Sequence, residues 1–466
     1  MATTENTLAS DISKVATQAE QQKPRFKFIA DTATILSAQV GRAFSTLLLE
    51  VIYARFLGPA GRGQLSLCMM VLGCGVLVGG LGGEIPILLW SADEKRKSSE
   101  WLPSVAVCGL LGSTLACGIW AALFWWWRPA FLNGIDAALA RLVLIAIPLS
   151  TFGTYALSFL IGLNRIRERS LLVVINQFVT LVLAALFLAV FHPTAQLGML
   201  AVLSGLVIAL FFAQIFLRGH WEFRRSDQPR AATIGRALSL GLRGQLGNVA
   251  TFFNYRLDVF IVNYYLSTAA VGLYAIGVMV SESIWQVPNA AAMALVPRTA
   301  RQQGQSGAEF TCMVCRHVFT LAVLAAIGVA ALSAWAIPAV FGEAFRASVP
   351  VIWWILPGTV ALAASKVMCA DLMARGMPEY SSLFALVTLV ITVVLDLVLI
   401  PRMGIQGAAL ASSVAYYANS MLVAIVLRKK LQVTWGSLFI PTRAELSAYL
   451  RLWERFAERL RPTAAV

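Results

Sequence analysis

The feature that most constrains the fold is a series of apolar runs, each about 20 residues long, separated by short polar segments. Because the hydrocarbon core of a bilayer is about 30 Å thick, a spanning helix needs about 17–25 apolar residues. Soluble proteins average about 25% charged residues, whereas only 13% of this chain is charged and 59% is hydrophobic. The pattern therefore predicts an all-α integral membrane protein with about twelve transmembrane helices. We place them at 29–53, 64–90, 102–124, 138–161, 171–191, 197–217, 240–264, 270–292, 316–338, 349–371, 380–400 and 406–427.

The net charge of +14 comes from Lys and Arg residues that lie in small clusters between the apolar runs. Such a distribution is typical of a polytopic membrane protein, so we expect no nucleic-acid partner. The richest clusters fall in every second loop, which the positive-inside rule places in the cytoplasm. We therefore predict a multi-pass protein of the cell (inner) membrane with both termini cytoplasmic. The polar residues 1–28 contain acidic side chains and are predicted to be a cytoplasmic tail, not a cleaved signal peptide.

An internal repeat divides the chain into two halves. The segment FLGPAGRGQLS (56–66) matches YLSTAAVGLYA (265–275) at an offset of 209 residues, the offset that places Gly63 on Gly272. Six predicted spans in each half, both starting on the same side, indicate two parallel six-helix bundles. We predict a first lobe at 29–217, a basic linker at 218–238, a second lobe at 239–427 and a cytoplasmic tail at 428–466. Within that tail, 442–461 has an amphipathic helical pattern that suits either the membrane surface or a partner protein.

No arrangement typical of an enzyme is present in the sequence. The three histidines form no metal-binding or triad pattern, and Cys312 and Cys315 lack the second pair that a zinc site needs. The glycine-rich run at 73–83 lies within a predicted span with no preceding strand, which favours helix packing over phosphate binding. We therefore expect neither enzymatic activity nor a cofactor, while coupling to H⁺ or Na⁺ stays open.

Several charged or polar residues lie within or beside the predicted spans, where contact with hydrocarbon is energetically unfavourable. A charge at the bilayer centre costs about 2.5–3.5 kcal/mol on insertion scales, so such groups usually face a bundle interior or a wet cavity. The alternatives are structural ion pairs between helices and long side chains that reach back to the interface. The candidate substrate-binding residues are Arg42, Arg62, Asn254, Arg256, Asp258 and Lys366.

The seventh predicted span carries two charges only two residues apart, Arg256 and Asp258. At about 100° per residue these side chains point about 200° apart, so the helix has two polar sides. One side can line a cavity while the other meets a polar partner on a neighbouring helix. Arg256 is the better candidate for an anionic substrate, because guanidinium matches phosphate oxygens bidentately. Asp258 could orient an arginine or relay a proton.

Five segments of the chain resemble the Wzx-type polysaccharide flippases of the MOP superfamily, which also includes MATE exporters and the lipid II flippase. They are ARFLGPAGRGQLS (54–66), RLDVFIVNYYLSTAAVGLYAIG (256–277), PRTA (297–300), FGEAFRASVPVIWWILPG (341–358) and PRMGIQGAALA (401–411). The resemblance implies two six-helix lobes in a V shape around a central cavity. It also implies alternating access, use of an ion gradient, and transfer of an undecaprenyl-pyrophosphate-linked oligosaccharide to the outer leaflet. The cationic cavity typical of the family would be matched by Arg42, Arg256 and Arg62.

The expected partners are the lipid-linked oligosaccharide and membrane lipids, with polysaccharide polymerase and export proteins as further candidates. Two other functions stay open. One is a MATE-type ion-coupled drug antiporter, although MATE cavities bind cationic drugs with carboxylates and the arginines here argue against a cationic cargo. The other is a non-transporting scaffold of a polysaccharide export complex, which predicts that the buried charges tolerate neutral substitution.

Overall fold

The computed structural model describes residues 41, 43–93, 95–220, 229–301, 305–443, 445 and 447. All regular structure in these residues is helical. The helices are α1 (Ala43–Gly80), α2 (Glu84–Ser91), α3 (Ser98–Ala122), α4 (Ala137–Gly162), α5 (Ile166–Val190), α6 (Ala195–Phe216), α7 (Ala231–Tyr265), α8 (Thr268–Glu282), α9 (Gln286–Arg301), α10 (Gln305–Phe341), α11 (Ser348–Ala374), α12 (Pro378–Met403), α13 (Ile405–Leu431) and α14 (Trp435–Phe439).

Among these described residues, ten helical segments are long and apolar enough to cross a membrane. They lie on α1, on α3 to α6, on α8 continued into α9, and on α10 to α13. The predicted class of all-α membrane protein is confirmed. The predicted count of twelve also fits, since α1 covers parts of two predicted spans and α7 coincides with another.

The first predicted loop is shorter than the sequence indicated. We expected an irregular connection around 54–63, but helical residues continue from Ala43 to Gly80. The turn is concentrated at Gly58, whose φ of +64° lies in the left-handed region. A right-handed helix cannot continue its axis through such a residue, and glycine adopts this conformation without steric cost. Pro59 follows at once with a fixed φ that suits a helical residue, so helical conformation resumes directly after Gly58 and α1 runs on to Gly80.

The second predicted span is interrupted near its end. The chain turns at 81–83, where Leu81 and Gly82 have φ of +46° and +70°. The carbonyl of Gly80, released by this break, accepts a hydrogen bond of 2.6 Å from the Tyr155 hydroxyl on α4. The preceding glycines allow close packing, since a Cβ added at Gly79 would lie 3.2 Å from the backbone of Ser113 on α3. In the structure, the glycine-rich run therefore serves the close packing of helices.

The chain divides into two compact units. The first contains 1–58, 68–128 and 135–245, and the second contains 59–67, 129–134 and 246–466. Two short segments from the N-terminal half therefore belong to the second unit. The lobe boundaries that we derived from the repeat stay a prediction.

Within the second unit, the two glycines paired by the repeat pack against each other's segments. A Cβ added at Gly63 would lie 1.8 Å from the carbonyl oxygen of Thr268, and one added at Gly272 would lie 2.0 Å from that of Pro59. Residues 268 and 59 are themselves separated by the repeat offset of 209. The contact is therefore reciprocal, as expected where two equivalent segments meet on a two-fold axis.

Helix α11 organises the interior of the second unit. Its spanning segment is 78% buried, the largest share among the ten candidate segments, and it packs against α8, α9, α10 and α13. Small residues such as Ala363 and Ala364 are fully buried along it, which lets neighbouring helices approach closely. This packing brings side chains of α11 beside the end of α8 and the middle of α13.

Candidate functional site

The predicted site residue Arg256 forms an ion pair with Glu282 at the end of α8. Its Nη1 and Nη2 donate hydrogen bonds of 3.1 and 2.8 Å to the two carboxylate oxygens of Glu282. Such a bidentate pair is stronger and more directional than a single contact. The Arg256 side chain nevertheless remains 43% exposed, compared with 14% for Glu282. Arg256 is therefore both held in place and accessible to a ligand.

A second cation, Lys366 on α11, lies over aromatic rings beside this pair. Its Nζ is 4.6 Å from the ring centroid of Trp285 and 5.6 Å from that of Tyr255. Cation–π contacts contribute about 0.5–1 kcal/mol at exposed sites and about 2 kcal/mol or more when desolvated. Within the described part of the chain, Lys366 forms no ion pair with a carboxylate, although it interacts electrostatically with Glu282.

The rings below Lys366 are fixed by their own contacts. Tyr255, Trp285 and Tyr416 have ring centroids 5.5–5.7 Å apart, within the range typical of interacting aromatic pairs. The indole Nε1 of Trp285 donates a 3.0 Å hydrogen bond to the carbonyl oxygen of Thr359 on α11. We call Arg256, Lys366, Glu282 and the Tyr255 and Trp285 rings the cationic cluster. It contains two cations and one carboxylate.

The opposite polar side of α7 is buried in a hydrogen-bond network. The Oδ2 atom of Asp258 accepts from the Tyr274 hydroxyl and, at 3.3 Å, from Ser412 on α13. One helical turn earlier, Asn254 accepts a 2.9 Å hydrogen bond from Thr392 on α12. Both α7 side chains are almost fully buried. This side of α7 therefore meets polar partners on neighbouring helices, whereas a role for Asp258 in orienting an arginine or relaying a proton stays a prediction.

Asp396 on α12 lies near this network without a hydrogen-bond partner. It is fully buried, and neither of its carboxylate oxygens has a partner among the described residues. It interacts electrostatically with Asp258. Asp258 has the Arg256 charge nearby and several hydrogen-bond donors, whereas Asp396 has no such compensation in the described part of the chain. An uncompensated buried carboxylate is very costly, so Asp396 is expected to bind a proton or a cation beside Asp258. We call Asp258 and Asp396 the buried carboxylate pair.

The other predicted site residues lie elsewhere. Arg62 is buried in the 59–67 segment, where its Nη1 donates to the Ser66 hydroxyl. It precedes Gly63, which contacts the start of α8, and Glu282 is at the other end of that helix, about 21 Å away along the axis. Arg42 lies outside the described residues.

Sequence reasoning missed several members of the site. Glu282 and Asp396 are charges within predicted spans, but nothing in the sequence paired Glu282 with Arg256 or set Asp396 beside Asp258. The sequence did not identify Tyr255, Trp285 or Tyr416 as members of the site, because aromatic residues are common in membrane proteins. Within the described residues, no group of three or more His, Cys, Asp or Glu could hold a metal ion.

Helices α7 and α8 are also tied to a loop from the N-terminal half. The Asn263 amide nitrogen donates 2.9 Å hydrogen bonds to the carbonyl oxygens of Phe131 and Asn133. Thr268 donates to the same Asn133 oxygen at 3.2 Å, and the rings of Phe131 and Phe260 are 5.2 Å apart. We call this set of contacts the 129–134 latch.

Comparison with known proteins gives the class to which this architecture belongs. The model of the polysaccharide biosynthesis protein family matches residues 28–303, so the chain belongs to that family. The expected kinship with polysaccharide biosynthesis proteins is thus confirmed. The chain is 23% identical over 380 residues to the probable low-salt glycan biosynthesis flippase Agl15 of Haloferax volcanii, covering 79% of this chain and 77% of that protein.

Two solved structures share the fold at low sequence identity. The lipid II flippase MurJ in an inward closed conformation is 13% identical with a TM-score of 0.74, covering 91% of this chain and 92% of MurJ. An inward-facing MATE multidrug transporter of the MOP superfamily is 14% identical with a TM-score of 0.63, covering 84% and 94% of the two chains. These likenesses establish the shared fold, and with the apolar helices they support a multi-pass membrane protein.

Proposed function

We propose that this protein moves a lipid-linked oligosaccharide, carried on undecaprenyl pyrophosphate, from the cytoplasmic to the outer leaflet for surface polysaccharide synthesis. The observation that carries the proposal is the cationic cluster, in which Arg256 is accessible and Lys366 forms no ion pair within the described chain. Membership in the polysaccharide biosynthesis family supports the glycan cargo. The named activity of the Haloferax relative, glycan biosynthesis flippase, supports translocation.

The chemistry of such a cargo suits the cluster. A pyrophosphate with attached sugars cannot cross about 30 Å of hydrocarbon without compensation for lost hydration. Guanidinium binds phosphate oxygens bidentately, whereas the Lys366 ammonium acts as a point charge. Two cations can therefore hold a diphosphate while the polyprenyl chain stays in lipid. No covalent bond changes in this process, which agrees with a transporter instead of an enzyme.

The buried carboxylate pair supports coupling to an ion. Entry of H⁺ or Na⁺ would neutralise Asp258 or Asp396, and Asp258 is two residues from Arg256 on the same helix. A change in the position of α7 on ion binding would therefore also move Arg256. We propose an orientation in the cell inner membrane with both termini cytoplasmic, following the basic loops.

The test uses a strain that lacks this gene. Lipid-linked oligosaccharide is expected to accumulate on the cytoplasmic leaflet while surface polysaccharide disappears, and the wild-type gene should restore both. Arg256→Ala should reach the membrane but fail to restore export. Arg346→Ala is the matched control, because it removes the exposed ion pair with Glu343 between α10 and α11 and should restore export.

Normal polysaccharide without an accumulated intermediate would rule out the flippase. An altered drug resistance in that strain would support the ion-coupled antiporter, which the buried carboxylate pair also fits. Export restored by Arg256→Ala would remove the role of the cationic cluster and favour the scaffold.

A further inference from the structure

The ion pair between Arg256 and Glu282 uses the donors that a phosphate group would need. Both terminal nitrogens of Arg256 are engaged by the two carboxylate oxygens of Glu282. Carboxylate and phosphate present similar pairs of oxygens to guanidinium, so the two ligands compete for the same face. A phosphate that binds Arg256 bidentately must first displace Glu282.

The exposure of the two side chains makes this exchange feasible. Arg256 is 43% exposed, so an incoming anion can reach the guanidinium without unfolding the helix pair. Glu282 is the last residue of α8 and precedes a short 3₁₀ turn, Ser283–Trp285. A side chain at such a junction can change its rotamer without breaking the helix. By contrast, the Trp285 ring beneath Lys366 is held in place by its hydrogen bond to the Thr359 carbonyl oxygen.

The charge of the cluster changes when the exchange occurs. With Glu282 in place, one carboxylate offsets one of the two cations. With Glu282 displaced, Arg256 and Lys366 both face the ligand, which matches the charge of a diphosphate. A ligand that contacts only one cation gains no more than the carboxylate it replaces, so weak monovalent anions would not hold the site.

We propose that Glu282 is an internal competitor for the anionic substrate, occupying Arg256 in the empty carrier and returning to it to expel the product. This inference rests on the proposed function and adds a residue that sets the binding threshold and promotes release. Glu282 is a positioning and specificity-determining residue, since it acts through Arg256.

The experiment separates binding from transport. Binding of farnesyl diphosphate and farnesyl phosphate to purified wild-type, Glu282→Gln and Arg256→Ala proteins is measured, alongside export in the deletion strain. Glu282→Gln should bind both probes about tenfold more tightly than wild type. This value lies between the small contribution of an exposed ion pair to binding free energy and the larger contribution of a buried one. Export by the same variant should fall, because release is no longer assisted. A residue with only a structural role would lower affinity and export together.

Two further variants keep the test decisive. Glu282→Asp retains the carboxylate and should bind the probes near the wild-type affinity. Glu343→Gln removes the carboxylate of the exposed pair with Arg346 and should change neither binding nor export. If Glu282→Gln does not yield folded protein, Glu282→Ala also lacks the carboxylate and carries the same expectation.

The outcomes separate the role of Glu282 as a competitor from the proposed flippase function. Equal or weaker binding by Glu282→Gln, while wild type binds the diphosphate and Arg256→Ala does not, would overturn the competitor and leave the flippase standing. If no variant binds the diphosphate, the anionic site and the competitor both fail.

Discussion

At the scale of single residues, Asp371 and Asp396 show how differently two fully buried carboxylates can be treated. Asp371 accepts hydrogen bonds from Arg375 and, at 2.7 Å, from Thr311. Asp396 has no such partner in the described part of the chain. Removing a charge should therefore have opposite consequences at the two positions, because only one carboxylate stabilises its neighbours.

We expect Asp396→Asn to leave the melting temperature equal to or above that of wild type, since it replaces an unpartnered buried carboxylate with a neutral amide. The same change should abolish the response of transport to an imposed pH or Na⁺ gradient. Asp371→Asn is the matched control and should destabilise the protein by about 3 kcal/mol, because the charge of the half-buried Arg375 loses its fully buried partner. Thermal unfolding in detergent and gradient-driven transport in vesicles are the measurements; retained ion dependence in Asp396→Asn would contradict the role of the carboxylate pair.

Glu445, beyond the last span, is held by an ion pair with Arg316 on α10. Arg316 Nη2 lies 2.7 Å from Glu445 Oε1, and the backbone nitrogen of Thr442 donates to Oε2 at 2.7 Å. Hydrogen bonds from Arg316, followed by those from Thr442, lower the pKa of Glu445 to about 2. The contact therefore ties the start of the C-terminal tail to α10 throughout the physiological range.

The depressed pKa of Glu445 fixes the direction of its pH dependence. Its contribution is fully present above the ordinary glutamate pKa of about 4.3 and is lost as the pH falls through about 2. Glu445→Gln should release the tail at pH 7, because it removes the charge that pairs with Arg316, and both side chains of this pair are largely buried. Limited proteolysis of the tail at pH 7 should be faster in this variant, whereas exchange of its amide hydrogens near pH 2 should match wild type. Equal proteolysis at pH 7 would mean that other contacts hold the tail.

At the scale of elements, the 129–134 latch joins a loop of the N-terminal half to the α7–α8 turn through backbone acceptors. Asn263→Ala removes both amide hydrogen bonds to Phe131 and Asn133. The half-buried Phe131 carbonyl loses its amide donor, whereas the Asn133 oxygen keeps the Thr268 hydroxyl, so the expected cost is about 1 kcal/mol. We expect faster hydrogen exchange confined to 129–134 and a lower melting temperature.

Asn133→Ala provides the control for the latch. The acceptor at this position is the backbone oxygen, which the substitution retains, and the side chain is exposed. Exchange at 129–134 should therefore stay at the wild-type rate. Similar exchange in both variants would show that the Phe131–Phe260 contact, not the amide, holds the loop.

The sequence predicted the elements better than their ends. Apolar runs located α3 to α6 and α10 to α13 because lipid demands continuous helices of spanning length. The left-handed conformation at Gly58 was hidden because the residues on both sides of this Gly-Pro pair form helix. Helix α7 begins at Ala231, earlier than the predicted 240 and within the predicted linker, because a helix can extend beyond the apolar stretch that identifies it.

The site was predictable only in part. A charge within a span is visible in sequence because of its cost, which identified Arg256, Asp258 and Lys366. Their partners depend on which helices become neighbours, and that follows from packing around α11. Hence the ion pair to Glu282 and the rings under Lys366 required the structure.

At the scale of the whole molecule, the reciprocal contact of Gly63 and Gly272 predicts a specific energetic coupling. Either Gly63→Ala or Gly272→Ala would bring a methyl group within about 2 Å of a backbone oxygen and force the same two segments apart. Each change should therefore destabilise the protein, and the double variant should cost less than the sum of the two. Gly118→Ala on α3 is the control, since a Cβ there meets nothing within 4 Å and should be tolerated or mildly stabilising. Additive effects in thermal unfolding would show that the two glycines act independently.

A reciprocal contact between repeats also bears on where charges can be placed. In a symmetric pair of identical chains, each substitution would alter both partners at once. Two repeats within one chain are free of that constraint. At the repeat offset, Arg256, Asp258 and Glu282 correspond to Leu47, Leu49 and Gly73, so one half carries charges where the other is apolar or has no side chain. A symmetric pair would have doubled the cost of every buried charge, whereas a fused chain can concentrate charge in one half and leave the other to lipid.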